Sequence, residues 1–258
     1  MTVGNTQVKE ARKLSRRSER SERRLFLADG PKAVEGALGV PGCVVQVFAT
    51  PAATEQYADL AAAAERWTLV DDRALASLSD SVNPAGVVAL CRFLDRPLEH
   101  VLDGDPRLVA ICADIRDPGN AGTVIRCADA AGADGVVFAG HSVDAYNPKT
   151  VRASVGSLFH LPVGVDPEPA SAVRAAQAAG LVVLAADGAG EVDLDEAGDL
   201  LARPTAWLFG NEAWGLPAEL AALADHRVRI PIHGRAESLN LSTAAALCLY
   251  ASARAQRA

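Results

Sequence analysis

The sequence predicts an α/β protein in two parts, the second built on a parallel sheet. Three observations carry that prediction. Apolar runs of strand length alternate with helix-like stretches along most of the 258 residues. The later runs are apolar on both faces, as strands covered by helices on each side must be. A charged stretch with two prolines, DRPLEHVLDGDPR at 95–107, separates the two series and reads as a linker. The expected domains are therefore 1–94 and 108–258.

The chain opens on a basic arm. Residues 1–24 hold eight Lys or Arg against three Glu, a net +5 that leaves −12 for the remainder of a −7 protein. Positions 9, 12, 13, 16, 20, 23 and 24 fall roughly on one face of a single helix. Such a face is either simply solvated or a stripe that contacts phosphates, for which Lys9, Arg12, Lys13, Arg16 and Arg20 are the candidates. Apolar runs follow at 25–28, 43–48, 67–70 and 86–93, with helix-like segments near 31–38, 54–66 and 72–80. Together they predict a small α/β domain of about ninety residues. In the second half, strands are expected at 108–114, 135–140, 181–187, 205–210 and 228–232. Helices are expected at 121–132, 147–158, 168–180, 217–224 and 239–256.

Several classes are disfavoured. No apolar run approaches the ~18 residues of a membrane span, and the first residues lack the apolar core of a secretory signal, which predicts a cytoplasmic protein with no membrane partner. The five cysteines are widely spaced and mostly within apolar runs, so buried free thiols are expected, and no Cys/His clustering suggests a metal. Neither DPGNAG nor GAG at 188–190 has the G-x-G-x-x-G spacing of a dinucleotide-binding loop.

In a parallel sheet, ligands bind outside the carboxyl ends of the strands, so those ends carry the functional argument. Strand 108–114 empties into DPGNAGTVIR, where Asn120 either caps the next helix or does chemistry, and where Arg126 has no evident packing role. Strand 205–210 ends in LFGNEAWGL, with Glu212 at the rim between glycines that allow close backbone approach. The third end is IPIHGRAESLNLS, in which Pro231 stops or bends the strand and Ser238 is a candidate cap for the last, charge-poor helix.

The segments NAGTVIR, FGNEAWGL and IPI-x(5)-SLN, in this order, resemble the three motifs of the SpoU/TrmH branch of the SPOUT RNA methyltransferases. The likeness covers residues ~107–256. The first hundred residues more loosely resemble the substrate-binding domain often fused in front, akin to RNA-binding ribosomal proteins, with Asp29 where relatives often carry Glu. The resemblance implies S-adenosylmethionine-dependent 2′-O-methylation of RNA, a C-terminal trefoil knot, and a homodimer through the knotted domain. By motif position it implies polar site residues Asn120, Arg126, Glu212, Ser238 and Asn240. It places the cofactor against Leu208, Phe209, Gly210, Ile230, Pro231, Ile232 and Leu239, with Ala186 at a further strand end. A separate RNA-binding domain favours ribosomal RNA over tRNA. A non-catalytic RNA-binding protein is the alternative of a different class; it predicts loss of the five polar residues, all of which are present.

Overall fold

A computed structural model describes all residues, 1–258. The chain divides into two compact units, residues 1–94 with 144–160, and residues 95–143 with 161–258.

The first unit holds β1 (Leu25–Asp29), β2 (Val44–Ala49), β3 (Trp67–Leu69) and β4 (Val87–Arg92) in the order β1-β4-β2-β3. Strand β4 is antiparallel to both neighbours, while β2 and β3 are parallel. The basic arm is not one helix with one cationic face. It is two short helices, Thr6–Lys13 and Arg17–Arg23, and the first turns Val8 and Ala11, with Leu14 just beyond it, into a core shared with Phe48, Leu75 and Val88. Arg20 makes the break. Its Nη1 donates to the carbonyls of Leu14 (2.8 Å) and Ser15 (2.9 Å), taking acceptors the first helix leaves unmet at its end. Its Nη2 lies 2.8 Å from Asp144, with Arg20 2% and Asp144 11% exposed. Arg20 is therefore a structural cation, which corrects its assignment to RNA contact.

Residues 144–160, which the sequence places in the second domain, cluster with the first. The reason is aromatic. Tyr146 stacks on Phe93 at 3.9 Å and tilts over Phe26 at 4.7 Å, its hydroxyl accepts from the Leu94 N–H (2.8 Å), and Phe159 stacks on Phe26. The linker expected at 95–107 is likewise corrected. Leu98–Val101 is a helical turn that buries Val101 in the second unit, and Arg96 bridges to Gly164.

The second unit is a seven-stranded, all-parallel sheet. Its strands are β5 (Leu108–Ala113), β6 (Gly135–Ala139), β7 (Val163–Asp166), β8 (Val182–Ala186), β9 (Val192–Asp193), β10 (Thr205–Phe209) and β11 (His226–Arg229). Their order is β7-β6-β5-β10-β8-β11-β9. The edge strands β7 and β9 are too short and too polar to show in the hydrophobic pattern. Strand β11 ends at Arg229, two residues before Pro231, whose missing N–H could not continue a ladder. At the centre Trp207 is fully buried, and its indole N–H donates to the Ser252 hydroxyl (2.9 Å), fastening the last helix, Leu241–Ala255, to β10. The cysteines are free thiols; four are buried and Cys127 is half-buried.

Removing one partner of a buried ion pair strands the other charge. Arg20→Met is expected to lower stability by about 3–5 kcal/mol, and Arg20→Met with Asp144→Leu by less than the sum of the singles. Denaturant unfolding of the three variants checks this.

Candidate active site

A cavity of about 360 Å³ opens at the carboxyl ends of β8, β10 and β11. Each strand delivers its end to it: Ala186 from β8, Phe209 from β10 with Gly210 just after it, and Val228 from β11 with Ile230 just after it. Ile232, Leu239, Leu241 and Ala244 complete an apolar wall. Six of the eight residues expected to hold a cofactor line it. Leu208 does not, because strand alternation turns its side chain into the core beneath the sheet, and Pro231 lies between two lining residues without lining the cavity itself.

Backbone forms much of the rim. A Cβ on Gly210 would sit 2.5 Å from the Gly215 carbonyl oxygen and 2.6 Å from the Leu216 nitrogen, so only glycine fits. Asn211, 5% exposed, pins the same loop from inside. Its Nδ2 donates to the Asp114 carbonyl (2.7 Å), its Oδ1 accepts from Ala213 N–H (2.8 Å), and its backbone exchanges hydrogen bonds with Gly215. The ends of β5 and β10 are thereby tied together.

The polar candidates meet in a chain. Asn240, not Ser238, caps the last helix, its Oδ1 accepting from Ser242 N–H (2.9 Å) and the Ser242 hydroxyl (2.7 Å). With its oxygen committed, Asn240 must donate through Nδ2, and it does so to Asn120 Oδ1 (3.1 Å). Asn120 then donates its own Nδ2 to Glu212 Oε1 (3.3 Å). The helix end thus sets the amide orientation of both asparagines. Asn120 is not the cap of its helix either. Asp117 is, accepting from Asn120 N–H (2.8 Å), which leaves the Asn120 side chain free for the chain.

Glu212 is where the chain ends. Its two oxygens also accept from the backbone N–H groups of Arg116 (3.0 Å) and Asp117 (2.9 Å). Burial opposes its ionisation, but these donors and the Asn120 amide outweigh burial, and its carboxyl titrates below the usual 4.5. Glu212 is thereby held as an anion.

The remaining two candidates stand apart from this chain. Ser238 lines the cavity with an exposed side chain and no internal hydrogen bond. Arg126 is exposed on the helix Pro118–Ala131, bonded to no other side chain, and does not line the cavity; six residues from Asn120, it faces another side of that helix. Two lining carboxylates, Asp187 and Glu237, are not singled out by the sequence pattern. Asp187 was findable, since it directly ends the run LVVLAA as polar residues end the other strands. In the first unit, Lys9, Arg12, Lys13 and Arg16 are exposed, with Lys13 paired to Glu10 at 2.8 Å.

A family model described as the SpoU rRNA Methylase family matches residues 107–250, more than half of the chain. The chain belongs to the SpoU rRNA methylase family. A second model, the MRM3-like substrate binding domain, matches residues 5–89. The SpoU relatives include the 23S rRNA (guanosine(2553)-2′-O)-methyltransferase RlmP of Bacillus subtilis, 34% identical over 249 residues and 95% of each chain. The 23S rRNA (uridine(2479)-2′-O)-methyltransferase of Streptomyces viridochromogenes is 44% identical over 176 residues, 66% of this chain and 61% of that one. Among solved structures, the SpoU methyltransferase AviRb of Streptomyces viridochromogenes in complex with the cofactor AdoMet matches with a TM-score of 0.86 and 31% identity, covering 98% of both chains. An AdoMet-bound rRNA methyltransferase from Sinorhizobium meliloti matches at 0.85 and 34%, covering 97% of this chain and 95% of that one.

Because the Glu212 pKa is depressed by folding, its stabilisation is complete above the usual 4.5 and is lost as pH falls through the lower, folded-state value. Glu212→Gln is therefore expected to unfold earlier than the parent at neutral pH. The gap should close as the buffer is acidified below that range, as read from thermal unfolding midpoints across pH.

Proposed function

We propose that the protein transfers the methyl group of S-adenosylmethionine to a ribose 2′-hydroxyl of ribosomal RNA. The observation that carries this reading is the cavity at the strand ends with the Glu212–Asn120–Asn240 chain beside it. The cavity suits the cofactor. Its volume is that of a small-molecule site, its apolar wall suits an adenine, and Asp187, Glu212 and Glu237 supply negative charge for a cationic ligand. Ala186, Phe209, Gly210, Ile230, Ile232 and Leu239 would hold it. When bound, the cofactor supplies a methyl carbon made electrophilic by its sulfonium.

The chain's own residues then have to align the ribose oxygen and manage its proton. Arg126 is free of internal partners, so its guanidinium is available to bind the phosphate next to the target ribose and to stabilise the developing alkoxide. With a pKa above ~12, it is not a base. Ser238 presents an unengaged hydroxyl at the cavity for placing the ribose, while Asn120, Asn240 and Glu212 hold the three loops in register. Positioning of this kind contributes up to about 7–11 kcal/mol in ideal cases.

Ribosomal RNA is favoured over tRNA by coverage. The rRNA methyltransferases of Bacillus subtilis and Sinorhizobium meliloti, which match over 95% of this chain or more, span both units, whereas the structure described as "Structural insights into the 2-OH methylation of C/U34 on tRNA" covers 60% of this chain at a TM-score of 0.53. A homodimer through the last helix belongs to the same proposal, supported by Leu247 and Tyr250, 44% and 53% exposed on it. So does the trefoil knot, supported by Ser238, Leu239 and Leu241 lining the same cavity as Phe209, Gly210 and Gly215. No helix is long and apolar enough to cross a membrane. A cytoplasmic location belongs to the same proposal and rests on the bacterial rRNA methyltransferase this chain resembles.

The test is incubation with tritiated S-adenosylmethionine and separate pools of unmodified ribosomal RNA and tRNA, then nucleoside analysis. Label in a 2′-O-methylated nucleoside of the rRNA pool is the expected result, and label in tRNA alone would reverse the substrate choice. Arg126→Ala is expected to lower kcat about 10²–10³-fold with cofactor binding by calorimetry unchanged. Asn240→Asp keeps an acceptor for the helix but cannot donate to Asn120. It should melt like the parent while turnover falls about tenfold, the equivalent of one ~1.4 kcal/mol hydrogen bond.

A further inference from the structure

The first unit contains a slot of about 200 Å³ that neither the methyl-transfer chemistry nor the basic arm uses. Pro31, Ala33, Ala85 and Val155 give it apolar walls, and Lys32 and Arg152 bring two cations to it. A second hollow, about 330 Å³, shares Lys32 and Val155 and continues past Phe159 and His160.

Four features indicate that the slot is built rather than incidental. Asp29 lies in its lining, 8% exposed, and accepts from the Ser79 hydroxyl at 2.5 Å; the Ser79 Oγ in turn accepts from Ser81 N–H (3.0 Å), which fixes the loop carrying one side of the slot. Arg152 has an Nη1 that is closed to solvent and bonded to nothing, while its Nη2 lies only 3.6 Å from Asp80. Such unmet donors are rare in folded proteins and mark a site that can take an acceptor after a small side-chain movement. The Lys32 side chain is 70% exposed and engaged only by Glu35. Val155 is a β-branched residue held at φ 51 with 44% of its surface exposed, an unfavourable backbone that presents an apolar side chain where the two hollows meet.

Apolar walls with cations alongside suit a nucleotide taken out of its stack, the ring against carbon and the phosphate against guanidinium and ammonium. We propose that this slot holds one unstacked nucleotide of the substrate RNA, its base against Pro31, Ala85 and Val155 and its phosphate on Lys32 and Arg152. The inference rests on the RNA-methylating reading above and goes beyond it. Arg152 and Val155 come from the segment 144–160, so residues from the second half of the sequence complete a substrate site in the first unit.

The experiment measures binding of the full-length protein to an unmodified 23S rRNA transcript across a salt series, with methyl transfer and S-adenosylmethionine calorimetry alongside. Lys32→Ala and Arg152→Ala are each expected to weaken transcript binding and to reduce the slope of log affinity against log salt by about 0.7. Arg152→Lys should restore most of that slope. Ala85→Trp fills the slot without changing charge, and should weaken binding about tenfold with the salt slope unchanged. All variants should bind S-adenosylmethionine like the parent. The exposed Lys32 and Ala85 positions keep the test decisive should Arg152→Ala disturb folding. If Ala85→Trp binds like the parent while the charge variants weaken, the surface is diffusely electrostatic and the slot is overturned. Parent-like binding by every variant overturns it equally, with the methylation reading intact. A parent that binds S-adenosylmethionine but neither binds nor methylates any ribosomal RNA removes the functional reading, and this inference with it.

Discussion

The site depends on one obligation at a helix end. The N-terminus of the last helix needs an acceptor, Asn240 supplies its only side-chain oxygen, and everything else about the polar chain is set by that choice. The Asn240 amide nitrogen must then donate, the Asn120 oxygen must accept, and the Asn120 nitrogen is turned toward an anion. Glu212 can serve as that anion because two backbone N–H groups already hold it ionised. Bonds to an ionised acceptor are stronger than those of a neutral amide pair, although solvent at the exposed Glu212 reduces the difference. The order of strength therefore runs from Glu212 outward. Three segments, joined by bonds that span 92 and 120 residues of sequence, are locked by side chains with one permitted polarity.

That lock explains why so much of the cavity can be backbone. A loop anchored through Asn211 and Glu212 and closed by the Asn211–Gly215 backbone pair needs no bulky side chains to keep its shape, and Gly210 can approach Gly215 and Leu216 closely enough to exclude a Cβ. The parallel sheet supplies the rest. Its strand order brings the ends of β8, β10 and β11 side by side, and the polar loops after β5 and β10 close over the adjacent position. The cavity is thus a consequence of topology, and its chemistry a consequence of the loop residues at each strand end.

Much of this was legible because strand-end logic needs only a hydrophobic run and the polar residues after it. LFGNE and DPGNAG declare themselves in that way, and the helix Leu241–Ala255 is evident from its small, charge-poor composition. The features that were not legible have physical causes. The sequence offers Asn120 and Ser238 as candidate caps, but Asp117 and Asn240 are equally good cap residues, and the choice between neighbours is made by tertiary partners. The helix break in the basic arm depends on an arginine reaching back to two carbonyls and across to Asp144, 124 residues away. Tyr146 and Phe159 carry no local signal that they belong with Phe26 and Phe93. Periodicity reports which face is buried, never against what.

The charge distribution constrains how such a protein can hold RNA. A body of net −12 gives no broad attractive field, so affinity has to come from discrete contacts. Burial of Arg20 removes one cation from the arm and Glu10 occupies another, Lys13. The exposed cations that remain include Lys9, Arg12, Arg16 and Arg17 on the arm, Lys32 at the slot and Arg126 on the helix Pro118–Ala131, each fixed by its element. Discrete, rigidly placed contacts carry register as well as affinity, since a polyanion can satisfy such a pattern in fewer ways than a uniform patch. An acidic body is then no obstacle to RNA recognition. It penalises every placement of the phosphate chain except those that reach the exposed cations, and selectivity for one ribose arises from that penalty as much as from the attraction.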